Sequence, residues 1–174
     1  MVLRSLGLVV LLVVLSPNFT SLFAAGPPTQ IPFRLYGGFA IVVRGAIGSQ
    51  GSLNILIDTG AVPSVVHQRL ARKLNLSGSR EVISVVNQNR SLERVSLAGL
   101  RVGSLEFPSV SAVVLDLAAI ESRLGIRLDA IIGLDVFGRQ NFTIDYRQRQ
   151  LLIGDALATG EPIPFELKTE AGAP

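Results

Sequence analysis

The chain has 174 residues, a formal net charge of +3 and no cysteine, so disulfides and thiolate metal sites are excluded. Apolar side chains make up 48% and charged ones 17%, too apolar for a disordered chain and, past the first segment, too interrupted for a polytopic membrane protein. His67 is the only histidine and cannot build a two-histidine metal site; it reads as an exposed residue on a helix. Basic residues are scattered with few aromatic residues between them, so no nucleic-acid surface, metal or cofactor is expected.

Arg4 is the only charged side chain among the first 25 residues and precedes an apolar stretch from Leu6 to Leu15 that breaks at Ser16-Pro17. Residues 1–25 therefore read as a signal peptide, with export to the periplasm or the exterior as the expected fate. Phe23 occupies a position where a small side chain is preferred before a cut after Ala25, so an uncleaved membrane tether through residues 6–25 is the alternative. Residues 26–30 form a Pro-containing linker, residues 31–158 a single domain, and residues 159–174 a flexible tail.

Short clusters of Val, Ile and Leu punctuated by 17 glycines predict a mainly β domain. Residues 31–36 and 39–44 read as extended segments divided by Gly37-Gly38. After a turn over residues 45–51, Leu53, Ile55 and Ile57 alternate with Asn54 and Leu56, giving a strand with one apolar face that ends at Asp58. Ser64 is placed to cap a helix over residues 64–76, because Val66, Leu70 and Leu74 recur every four residues. Strands follow at residues 81–86, 92–97, 100–102 and 109–115, with turns at residues 87–90 and at Gly103-Ser104. A short helix spans residues 118–124, Ala130 to Ile132 form a buried strand, Asp135 caps another short helix, and residues 142–146 and 150–153 make a hairpin whose end carries Asp145.

Asp58-Thr59-Gly60 occurs once and is a weak signal in isolation. Its setting strengthens it: Ile55-Leu56-Ile57 deliver the aspartate from a strand, Gly60 lets the backbone turn, and Ala61 adds little bulk beside the carboxylate. Much later, Ile131-Ile132-Gly133 has the pattern of a buried strand that passes behind and braces the aspartate loop.

On these two motifs, with the meander between them, the chain resembles the retropepsin-like aspartic proteases, in particular single-lobe bacterial forms, over about residues 39–153. The resemblance implies a mainly β acid-protease lobe, a closed β-barrel-like sheet with one or two short helices. It implies Asp58, Thr59 and Gly60 as catalytic residues, and Ala61, Ile132 and Gly133 as substrate-binding ones. Asn87, Gln88 and Asn89 join the latter as the turn of a flap spanning residues 85–94. Peptide hydrolysis by such chemistry needs two carboxylates around one water, and one chain offers one. A homodimer acting on a peptide or protein substrate is therefore expected, with Asp58 from each subunit. The alternative is a catalytically inactive lobe that binds a peptide or protein.

Overall fold

The computed structural model describes residues 28–85, 88–138 and 140–154. Among them the chain forms β1 (Thr29–Tyr36), β2 (Ala40–Ile47), β3 (Gln50–Ile57), β4 (Ser64–His67), α1 (Gln68–Lys73), β5 (Ser79–Val85) and β6 (Gln88–Val102). It continues with β7 (Leu105–Leu115), α2 (Ala118–Leu124), β8 (Ala130–Ile132), α3 (Leu134–Phe137), β9 (Phe142–Asp145) and β10 (Gln150–Ile153). The fold of the described residues is mainly β, with three short helices rather than one or two.

Strands β6, β7, β4, β8, β3 and β2 are hydrogen-bonded in that order, and pairing of Gly45 with Val102 and Ile47 with Leu100 closes them into a ring. β5 hangs from β6, while β1, β10 and β9 extend in turn from β2. β3 pairs with β8 in parallel, which carries the Asp58 end of one strand beside the Gly133 end of the other. Leu53, Ile55 and Ile57 join Val43, Val66, Leu97, Leu100 and Ile132 in one core. Complete burial of a side chain such as Ile55 or Leu97 contributes about 1.5–3 kcal/mol.

Several expectations are corrected by pairing. The segment expected to open a helix at Ser64 is strand β4, because Val65 and Val66 bond β7 on one side and β8 on the other, and β-branched residues suit that pleated setting. The four-residue apolar period was real packing, since Val66 and Leu70 are both buried, but its first member belongs to the sheet. His67, expected at the surface, is 3% exposed and caps α1 by accepting from the Arg69 amide through Nδ1 at 3.0 Å. β1 begins at Thr29, inside the expected linker, because Thr29 and Gln30 pair with Ile153 and Leu152 of β10. β6 is one strand where two were expected. Gly99, with φ +62°, carries it through the interruption, and the Ala98 carbonyl accepts from the Gly48 amide.

Leu56, on the face of β3 opposite the core, is also buried. It joins Ala40, Val42, Val65, Val113 and Ile131 in a second cluster, against which Ile120 and Leu124 of α2 pack. The expected signal peptide and tail lie outside the described residues.

A polar network ties the middle of β3, at Asn54, to α1 and α2. Arg69 donates to Glu121 Oε1 at 2.9 Å and to the Leu128 carbonyl at 3.2 Å, and Glu121 Oε1 accepts from the Leu128 amide at 2.8 Å. Asp129 exchanges backbone bonds with His67 and Asn54, and its carboxylate accepts from the Asn54 amide at 2.9 Å. Burial, and then the neighbouring Arg69 charge, holds His67 below its ordinary pKa of 6.5. The hydrogen bond from Arg69 holds Glu121 below its ordinary 4.5, against an opposing desolvation.

Both groups bind protons more readily in the unfolded chain, so their stabilisation is full above 6.5 and is withdrawn as pH falls, first through His67 and then through Glu121. The thermal midpoint is therefore expected to fall on acidification below pH 6.5 and to fall further below pH 4.5. Glu121→Ala should cost about 1–3 kcal/mol at neutral pH and flatten the lower part of that profile, which denaturant titration across pH would measure.

Candidate active site

Ile55 and Ile57 anchor the end of β3 in the core, and the chain leaves the strand at Asp58. The Asp58 amide still donates to the Ile132 carbonyl at 3.1 Å, so the aspartate is held in register with β8 although its strand has ended. Its Oδ1 accepts from the Gly60 amide at 2.9 Å, and its carbonyl accepts from the Ala61 amide at 3.1 Å, closing a tight loop. A Cβ on Gly60 would stand 3.3 Å from that Oδ1. Asp58, Thr59 and Gly60 are exposed, and the second carboxylate oxygen has no hydrogen-bond partner among the described residues. The loop therefore presents an ionisable group to the outside while backbone bonds fix its position.

The loop rests on Gly133. A Cβ there would lie 1.8 Å from the Ala61 carbonyl oxygen, so the two backbones can meet only because the residue is glycine. The Leu134 amide donates to that same carbonyl at 3.3 Å. Ser64, fully buried at the head of β4, ties the junction together: its Oγ donates to Asp135 Oδ1 at 2.7 Å and accepts from the Gly133 amide at 3.1 Å, while its own amide donates to Asp135 Oδ2 at 2.8 Å. Asp135 is thus a brace between α3 and β4. It does not cap the helix, whose N-cap is Gly133 with no side-chain bond. Asp145 accepts from the Arg147 and Gln148 amides at 2.9 and 2.8 Å and holds the β9–β10 turn.

A shallow recess on one side of Asp58 is lined by Ile132, Gly133 and Phe137. A groove of about 450 Å³ opens on another side, with Phe39, Tyr146, Ile120, Arg123 and Leu124 around Asp58 and Thr59. Ala61, Ile132 and Gly133 are thus gathered at the loop as its backbone supports. Asn87 lies outside the described residues. Gln88 and Asn89 do not form a turn: they are the first residues of β6, paired with Val85 and Ser84, so the second strand of the hairpin begins at residue 88 where residue 92 was expected. The residues missed by sequence reasoning are Ser64 with Asp135, and the α2 face. A buried hydroxyl and an exposed residue's carboxylate separated by 71 positions leave no local pattern from which their contact could be read.

A family model described as aspartyl protease matches residues 43–136, more than half of the chain. No curated protein matches. Among solved structures, the chain is similar to a retropepsin-like aspartic protease from Rickettsia conorii, at 18% identity and a TM-score of 0.49, over 72% of this chain and 89% of that one. It is similar to the retroviral protease-like domain of Ddi1 from Leishmania major at 20% identity and a TM-score of 0.47, over 66% and 92% of the two chains. EIAV protease complexed with the inhibitor HBY-793 shows 19% identity and a TM-score of 0.43, over 61% and 93%.

Two substitutions probe the bracing. Gly133→Ala is expected to destabilise the fold by about 3 kcal/mol or more, because backbone and not a flexible side chain must yield. Ser64→Ala removes a donor and leaves the Gly133 amide unpaired, at an expected cost of about 1–3 kcal/mol in chemical denaturation.

Proposed function

The chain belongs to the aspartyl protease family, and from that premise we propose that it is an aspartic endopeptidase active as a homodimer, with one Asp58 from each subunit. The observation that carries this reading is the Asp58 loop: an exposed carboxylate, one oxygen unengaged among the described residues, held by backbone bonds beside an open groove. Hydrolysis needs a second carboxylate. A two-fold axis between two such loops supplies it, since each subunit contributes an identical group.

Two carboxylates about 3 Å apart share one proton, because both cannot ionise cheaply. The ionised one takes a proton from the bound water as the water oxygen attacks the peptide carbonyl carbon, and the protonated one donates to the carbonyl oxygen. As the tetrahedral species collapses and its carbon–nitrogen bond breaks, the carboxyl group that took the water proton passes it to the departing nitrogen, and the other carboxylate takes back a proton from a hydroxyl of that species, so the pair again holds one proton. In this scheme Thr59 and Gly60 hold the paired loops and the substrate backbone, Ala61, Ile132 and Gly133 form the floor, and the β5–β6 hairpin with Asn87, Gln88 and Asn89 covers the peptide. Export directed by residues 1–25 would place the activity outside the cytoplasm, on peptides or proteins found there.

The test is hydrolysis of a mixed peptide library from acidic to neutral pH, with sedimentation at several concentrations alongside. The wild-type chain is expected to cleave, and Asp58→Asn to lose about two to four orders of magnitude in rate with its fold and association intact. Equal inactivity of both in a folded, dimeric preparation would leave a peptide-binding module. A strictly monomeric chain that cleaves would remove the shared-site mechanism.

A further inference from the structure

The groove beside Asp58 has one wall that the catalytic loop does not explain. α2 supplies Ile120 and Leu124 to it, and facing elements supply Phe39 and Tyr146, which are 72% and 54% exposed. Two large aromatic side chains left open to water beside a concave apolar surface mark a place where another apolar group is received. The volume, about 450 Å³, lies in the range of clefts that enclose a small ligand.

The wall is rigidly placed. Leu117, directly before α2, is 2% exposed, Leu128 after it is fully buried, and Gly125 ends the helix in the left-handed conformation at φ +65°. Glu121 clamps the helix to Arg69 from its other side. A surface already fixed in this way loses little freedom when a ligand enters.

The charge in the groove is specific. Arg123, in the last turn of α2, is exposed and makes no hydrogen bond or ion pair among the described residues. Among the described residues, the only other charged one lining the groove is Asp58. Glu121, close by in sequence, is engaged by Arg69 and the Leu128 amide. An unpaired guanidinium at the edge of an apolar cleft matches a carboxylate, which it can bind through two parallel hydrogen bonds.

We infer that this groove is a specificity subsite that takes a large apolar side chain of a peptide, while Arg123 binds a carboxylate carried by the same peptide. The inference rests on the peptidase reading for its biological meaning, but the binding can be measured without cleavage. The carboxylate has two sources, an acidic side chain next to the apolar residue or the peptide's own C-terminus.

The experiment uses the full chain carrying Asp58→Asn, so that peptides stay intact, and fluorescence anisotropy of three labelled peptides built around one phenylalanine. The first has an adjacent Glu and an amidated end, the second an adjacent Gln and an amidated end, and the third an adjacent Gln and a free carboxylate. At least one carboxylate peptide is expected to bind about five-fold tighter than the neutral one, and which of them does so identifies the source. Arg123→Glu should abolish or reverse that preference, and Leu124→Ala should weaken all three peptides by about ten-fold. Equal binding of the three, or a preference that survives Arg123→Glu, overturns the inference. So does a result in which Arg123→Glu alters only the sedimentation of the chain, because the groove would then be covered by a second copy. Carboxylate-dependent binding with no hydrolysis by the wild-type chain upholds the subsite and removes the peptidase reading.

Discussion

The contact between the Ala61 carbonyl and Gly133 decides where Asp58 can stand. A loop that leaves a strand at an ionisable residue has no neighbouring strand of its own, and the Asp58 carboxylate bonds only within the loop, to the Gly60 amide. Its position comes from the strand behind it: β8 accepts from the Asp58 amide, and the backbone at Gly133 lies so close to the loop that no side chain fits between. Ser64 and Asp135 then satisfy the polar groups that this close approach would otherwise leave unpaired. The position of the carboxylate and the stability of the fold are therefore coupled at a junction of backbones, where small changes in packing are felt at Asp58.

The strand pair that carries Asp58 outward is secured at its other end by charge. Asn54 and Asp129 lie directly before the segments of β3 and β8 that pair with each other, and the Arg69, Glu121 and His67 groups around them link these strands to both neighbouring helices. Such a network is strong when every member is satisfied and vulnerable when one is protonated. An acid-active enzyme held by these groups would meet opposing demands, since lower pH favours a shared proton between carboxylates and weakens the brace at the far end of the same strands. The balance between the two sets how far into acid the fold can follow its proposed chemistry.

α2 gives the fold a second role for one segment. It covers Leu56 and Ile131, which would otherwise form an exposed apolar face, and in doing so raises a wall beside Asp58. Burying that face favours placing a helix there, and the same placement brings Arg123 to the groove. Packing energy thereby sets the boundary of a cleft whose contents are determined by the few residues left uncovered.

What could be read from the chain alone was local. Apolar alternation through Leu53, Ile55 and Ile57 marks β3 and its exit at Asp58, Gly103-Ser104 marks a turn, and Ile131-Ile132-Gly133 marks a buried strand ending in a residue without a side chain. These signals need only neighbours along the sequence, so they survive without knowledge of the fold. The identity of β4 did not: Val65 and Val66 are compatible with a helix or a strand, and only partners at positions 112–115 and 130–131 decide between them. The burial of His67, the Ser64–Asp135 brace and the Arg123 groove were likewise decided by tertiary structure. Each depends on groups far apart in sequence meeting in space, and no local periodicity encodes which distant residue a side chain will meet.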